Sequence, residues 1–420
     1  MKEKVKQLRP EILMFMILIS AVALGNGLSD AVYSNYFKEV YHVTAFQRGF
    51  IEFPRELPGL LCAFVIAALG FLGDIRVAFI AQVLAAIGVT LLGLLTPSFG
   101  IMLIFLFINS MGMHLFMPLS DSIGMSLAEP DQIGKRMGQI SSVRAAFSMI
   151  AALLVFFGFR IKVFSFATDI KWVFIVSAAA FLCAIVTAAL MISKVKPKKS
   201  APKKLKIKFR KQYRYYYLLT VLKGVQKQIA YVYGTWVIVD LLLKKADTLA
   251  ILTIVITFIS IFFLSKLGRW MDRFGIKKMM YLDALTFIII YIIYGFVVWG
   301  VVEGVLPDHG WSVFFIYLLF ILDRLSMQIG MVNSIYLRSI AVDTEEVTAT
   351  LSTGISLDHL VSIIAALAGG LIWAKWGSQW VFFLAAAFSL GNLYVAIRVQ
   401  PEREKEAAEK LREQLRARKR

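Results

Sequence analysis

The chain has 420 residues, of which 59% are hydrophobic, 13% aromatic and only 17% charged. Soluble domains average about 45–50% apolar and about 25% charged, and a soluble fold of this length lacks the interior to hide the excess. A cytosolic enzyme, a disulfide-stapled secreted domain and a disordered chain are therefore excluded, and an integral membrane protein is indicated. The net charge of +19 would suit nucleic acid or anionic lipid as a partner, depending on where the charges lie. Cys62 and Cys183 both fall in apolar runs, with no metal-site or disulfide spacing.

Apolar runs long enough to cross about 30 Å of hydrocarbon follow one another along the chain. Twelve are predicted: 11–37, 46–72, 77–95, 99–125, 136–160, 171–193, 214–243, 247–268, 278–300, 311–340, 346–373 and 378–399. The first lacks a small-residue cleavage site and reads as a retained helix. With the N-terminus in the cytoplasm, most of the 46 Lys and Arg fall on the cytoplasmic side, as the positive-inside rule requires. The expected domains are a six-helix bundle over 1–193, a basic cytoplasmic linker over 194–213, a second bundle over 214–400 and a charged tail over 401–420. The linker is rich in Lys and Pro, as a solvated, self-repelling connector is. The +19 is then mainly topological and needs no nucleic acid.

The halves resemble each other. GFLGDIR at 70–76 aligns with GRWMDRFG at 268–275, and the segment from Phe107 aligns with that from Phe320. Six spans plus six with a parallel repeat is a transporter architecture with a cavity between the halves. GRWMDRFGIKK at 268–278, lying between spans eight and nine, resembles the Gly-x-x-x-Asp-Arg-x-Gly-x-Lys/Arg-Lys/Arg loop of the major facilitator superfamily. The first-half copy keeps Gly70 and Asp74 but continues with Ile75 and Arg76.

That resemblance implies an all-α membrane protein with the family's fold, twelve helices in two pseudo-symmetric six-helix bundles, and a monomer. It implies gating by the loop residues. Gly268 and Gly275 would allow a tight turn and close helix approach. Asp272, with Arg273, would form pairs that hold one state closed, and Asp74 would serve the first half. Drug–proton antiporters of this superfamily usually carry a Gly-Pro pair in the fifth helix. Span five here has none, and span four carries His114 and Asp121 in place of a buried Arg followed by Gly. Multidrug export is weakened accordingly.

Ionisable residues inside spans cost roughly 2.5–3.5 kcal/mol each on insertion scales and need a partner or water. Asn26, Asp30 and Tyr33 lie in span one. Glu52, Arg55 and Glu56 lie in span two, His114 and Asp121 in span four, and Arg144 in span five. Lys223, Lys227 and Tyr231 lie in span seven, Asp323, Arg324 and Gln328 in span ten, and Asp358 and His359 in span eleven. Spans three, six and twelve carry almost none. The family's cavity-lining helices are the first, fourth, seventh and tenth, flanked by the second, fifth, eighth and eleventh. The polar spans match that set except for the eighth.

The substrate-binding candidates are Asn26, Tyr33, Arg55, His114, Arg144, Lys223, Lys227, Tyr231, Arg324 and Gln328. Lys223 and Lys227 are one helical turn apart and share a face with Tyr231, a cationic face suited to a phosphate or carboxylate. Proton coupling needs a carboxyl that gains and loses a cation during rocking, and the candidates are Asp30, Glu56 and Asp358. Plain structural pairs are the competing explanation: Asp30 with Arg55, Arg144 with Asp358, and Asp323 neutralising Arg324. A Na⁺ site from Asp30, Asn26 and Ser29 is a lesser alternative.

The expected function is secondary active transport of a small polar, anionic or zwitterionic solute by alternating access with protons. The protein would sit in the cell membrane with both termini cytoplasmic, and hold no metal, cofactor or nucleic acid. Nothing in the sequence supports an enzyme. One rival is an exporter of amphipathic drugs or lipids. Another is a membrane sensor or scaffold acting through the linker or the tail PEREKEAAEKLREQLRARKR, which reads as a solvated helix with Glu–Lys/Arg pairs.

Overall fold

The computed structural model describes residues 10–129, 132–194, 210–342 and 344–417, without the side chains of 344–346, 348–349 and 415–417. Most of the basic linker thus lies outside the described residues. The described residues contain helices and no strand. Ten helices are long and apolar enough to cross a membrane. One of them, Ala246–Val302, holds two spans joined at Gly275, whose φ of 76° and ψ of 167° are non-helical. Span seven, built from Arg214–Gln228 and the wider turns Ile229–Gly234 and Val237–Leu241, completes the predicted twelve. The multi-pass, all-helical expectation therefore holds.

The helices that carry the polar residues are not regular. Span one breaks between Asp30 and Tyr33. Ser29 Oγ bonds back to the carbonyls of Gly25 (3.2 Å) and Asn26 (3.2 Å), and such back-bonding bends helices. Span seven widens into π-type turns from Ile229, a feature common at functional sites. Span ten breaks between Ile329 and Val332 at Gly330, and Pro118 lies within span four. Hydropathy alone shows none of these interruptions, because the residues around them remain apolar.

The chain forms two compact units. Unit one comprises Met1–His42, Pro54–Lys203 and Lys244–Thr257, and unit two comprises Val43–Phe53, Lys204–Leu243 and Phe258–Arg420. The start of span two thus packs with unit two, and the start of span eight with unit one. In unit one, Gly88 meets the backbone of Phe105 and Asn109, and Gly112 meets that of Ala81 and Ala85. Small residues there let spans three and four approach closely, as lipid-embedded helices require. Tyr36 packs edge-on against Phe174 at 5.0 Å between centroids. In unit two, Tyr291 and Tyr294 are fully buried, and Tyr294 stacks on Phe382 at 4.3 Å.

The two motif loops share a backbone device but not a register. Gly73 (φ 80°, ψ 155°) precedes span three as Gly275 precedes span nine, and the left-handed φ favours glycine. Asp74 therefore opens span three where Ile276 opens span nine, and it is not the structural counterpart of Asp272. Gly268 lies inside a continuous helix with open space around it, so the expected turn-forming role at that position is corrected to Gly275 alone.

The tail is also corrected. Pro401–Ala417 is helical, but it docks within unit two rather than standing free in solvent. Tyr336 Oη donates to Glu404 Oε2 at 2.6 Å, Arg412 Nε donates to the Ala341 carbonyl at 2.8 Å, and Ala408 is buried.

Candidate functional site

In unit one the break in span one brings several candidates together. Tyr33 is buried and donates from its hydroxyl to Asn109 Oδ1 at 3.0 Å. The Arg55 guanidinium lies 5.3 Å from the Tyr33 ring and 3.5 Å from Asp30 Oδ1. The expected Asp30–Arg55 pair is therefore present, on a half-exposed face. Ser110 Oγ donates to the Arg55 carbonyl at 2.5 Å and lies 3.1 Å from His114 Nδ1. Glu56 and Asn26 are half-buried nearby in the same two spans.

Arg144 stands apart. It is exposed, 3.8 Å from Asp121 Oδ1, and it donates to Ser120 Oγ at 3.0 Å. Within unit one, the acid beside Arg144 is Asp121 of span four. Asp74 accepts from Ser122 Oγ at 2.5 Å, which fixes it at the head of span three.

In unit two, Lys227 Nζ lies 2.7 Å from Asp358 Oδ2, with both side chains 22% exposed. Lys223 lies within electrostatic range of buried Asp283 instead. The two lysines thus serve different acids and do not act as one free cationic face. Arg324 is turned onto aromatic faces, 3.7 Å from the Tyr231 ring centroid and 4.9 Å from that of Phe320. It donates to Thr235 Oγ1 at 3.0 Å. Tyr231 is 53% exposed, so the stack faces accessible space. Among the described residues Arg324 forms no ion pair in contact, and Asp323 lies only within its electrostatic range. Gln328 Nε2 donates to Ser260 Oγ at 2.5 Å, bringing in span eight, which the sequence pattern left out.

The motif side chains are held less tightly. Asp272 is exposed and has no ion pair among the described residues, while the Arg273 guanidinium lies 5.5 Å from the Phe274 ring.

Arg48 escaped sequence reasoning, and the burial of Glu52 and Asp323 was not legible in it. Arg48 and Glu52, one turn apart in the segment of span two that belongs to unit two, form a 2.6 Å ion pair almost sealed from solvent. Arg48 lies 6.0 Å from the Trp236 ring, and Tyr233 beside it donates to the Ala366 carbonyl. The i,i+4 spacing of Arg48 and Glu52 was the available signal. Asp323, for which neutralising Arg324 is one of the competing explanations, is fully buried. A separate apolar crevice of about 270 Å³ is lined by Val225, Ile229, Ala365, Ile372, Leu384 and Phe388 of spans seven, eleven and twelve.

Broken helices that hold charged and aromatic residues at mid-span define a multi-pass membrane transporter. The match to the Major Facilitator Superfamily model over residues 15–357 makes the membership explicit: the chain belongs to that superfamily, and it is a transporter rather than an enzyme. Several solved structures share the fold. A variant of the nucleoside transporter NupG superposes with a TM-score of 0.74 at 12% identity, over 92% of this chain and 99% of that one. A POT family transporter in complex with 5-aminolevulinic acid gives 0.73 at 11% identity, over 92% and 95%. A D-xylose–proton symporter gives 0.65 at 15% identity, over 90% and 96%. At these identities the likeness speaks for the fold. No curated protein sequence matches the chain.

Proposed function

We propose that the protein carries a small anionic or zwitterionic solute across the cell membrane by alternating access, in symport with protons, as a monomer with both termini cytoplasmic. The observation that carries the anionic reading is Arg324. It is a partly desolvated cation at mid-span, braced by the faces of Tyr231 and Phe320 and by Thr235, with no carboxylate in ion-pair contact. A guanidinium so held is pre-organised for bidentate recognition of a carboxylate or phosphate. Lys227, paired with Asp358, offers a second cation that an anionic substrate would draw away from its partner.

That exchange gives a coupling route. Asp358 would then give up its Lys227 partner to the substrate and take a proton in its place. Asp30, beside Arg55, and Glu56 are the candidate coupling carboxyls of unit one. Among the fold's relatives, one is named as a proton symporter, which supports protons as the coupling ion. A thermal-shift screen of the purified protein against carboxylates and phosphate esters tests the reading. Stabilisation by an anion should fall at least tenfold in apparent affinity in both Lys227→Ala and Arg324→Ala. Anion binding that survives both substitutions unaltered sinks the assignment.

The apolar crevice favours the second reading, export of an amphipathic compound. It predicts stabilisation by detergent-like cations or lipids that Arg324→Ala leaves intact.

A further inference from the structure

Three charged side chains at mid-span in unit two keep part of their surface exposed. Lys227 Nζ and Asp358 Oδ2 meet at 2.7 Å, and each side chain is 22% exposed. Arg324 is the third, held by the Tyr231 and Phe320 rings and by Thr235 with no carboxylate in ion-pair contact. The neighbouring acids are withdrawn from a solute: Asp323, within electrostatic range of Arg324, and Asp283, within range of Lys223, are both buried.

Span seven sets the spacing of the three. A Cβ at Gly224 would lie 3.2 Å from the Asp358 carbonyl oxygen and 3.3 Å from Asp358 Oδ1, so the glycine lets span seven come close to span eleven. Lys227, about one turn further on, then reaches Asp358. About one turn beyond Lys227, roughly 5 Å along the helix axis, Tyr231 carries Arg324 on its ring face. Two cations are thus spaced along span seven, with one carboxylate beside the first.

The pattern discriminates among solutes. A plain dicarboxylate meets both cations but takes Lys227 from Asp358 and leaves that carboxylate unpaired, which is costly in a partly desolvated site. A neutral amino acid matches the Lys227–Asp358 pair and leaves Arg324 unmatched. A solute with two carboxylates and one ammonium answers every charge. Its ammonium takes the place of Lys227 at Asp358, one carboxylate takes the place of Asp358 at Lys227, and the other lies in the fork of Arg324.

We propose that the solute is an acidic amino acid, read by Asp358 through its ammonium and by Lys227 and Arg324 through its two carboxylates. The proposal rests on the anion-carrying reading above and narrows it: the ligand's own ammonium takes the place at Asp358 that a proton would take with a plain anion.

Calorimetric titration of the purified full-length protein tests this with glutamate and aspartate as probes. Glutarate and succinate, which lack the ammonium, and glutamine and asparagine, which lack the second carboxylate, are the controls. The acidic amino acids should bind at least about tenfold tighter than either control pair. Asp358→Asn should erase the advantage over glutarate and succinate while keeping the advantage over glutamine and asparagine. Arg324→Ala should do the reverse. A purely structural ion pair does not produce this crossed pattern.

Were Asp358→Asn to fail to fold, the wild-type panel still decides. Either control pair binding the wild type as tightly as the acidic amino acids overturns the proposal, as does an ammonium preference that persists in Asp358→Asn. Binding of plain dicarboxylates or phosphate esters without any acidic amino acid also overturns it and leaves the anion reading standing. No binding by any of these compounds fails both.

Discussion

Each unit stacks an arginine on a tyrosine from its own first span, yet the two stacks differ in charge. In unit one, Arg55 lies 5.3 Å from the Tyr33 ring and 3.5 Å from Asp30. In unit two, Arg324 lies 3.7 Å from the Tyr231 ring and has no carboxylate in ion-pair contact. The two cations come from spans that the repeat does not pair, two and ten, and they differ in what they face. A neutralised arginine serves architecture or switching, whereas an arginine held only by ring faces and a hydroxyl keeps its charge for a ligand.

The buried pair Arg48–Glu52 supplies the extreme of this comparison. Arg48→Ala should cost about 3–5 kcal/mol, because it strands a buried carboxylate. Replacing both residues with apolar side chains should recover most of that loss, and denaturant unfolding in detergent measures both. A small effect of the single change would mean that Glu52 finds water or another donor.

Arg324→Ala comes next, with an expected tenfold to hundredfold loss of anion affinity, equivalent to about 1.4–2.7 kcal/mol, and little change in melting temperature without ligand. Arg324→Lys should recover only part of it, since a lysine lacks the planar fork. Gly275→Ala and Gly73→Ala should each cost about 1–2 kcal/mol, because both positions need a left-handed φ. Equal costs would support the structural register over the sequence alignment that sets Asp74 against Asp272.

Arg55→Ala should lower stability by no more than about 1 kcal/mol, since the pair with Asp30 is half-exposed, and should leave anion binding in place. A loss of binding as large as that of Arg324→Ala would erase the distinction between the two stacks. Removal of residues 401–420 should have the smallest effect, slightly lowering the melting temperature as the Tyr336–Glu404 and Arg412–Ala341 contacts are lost, with uptake preserved. Abolished uptake would favour a role centred on the tail.

Much of the site was legible as a set of residues and little of it as a set of partners. Lys227, Asp358, Arg324 and Tyr231 stand out because a charge or an isolated polar ring in an apolar run is conspicuous. That Lys227 meets Asp358 across 131 positions of sequence, while Arg144 takes Asp121, depends on helix rotation, and span boundaries do not encode rotation. The surroundings of Asp323 are hidden in the sequence for a related reason. Its sequence neighbour is a cation, but adjacent residues on a helix point in different directions, and Arg324 turns to Tyr231.

The amino-acid sequence by itself determined the membrane environment, the twelve crossings, the orientation bias and the family resemblance. All of these follow from local hydrophobicity, loop charge and a short motif, which act at short range along the chain. The tertiary structure decided where spans one, seven and ten break, which unit the starts of spans two and eight join, where the tail docks, and which arginine keeps its charge. Those outcomes depend on which faces meet when lipid-embedded helices pack, and no single segment specifies that contact alone.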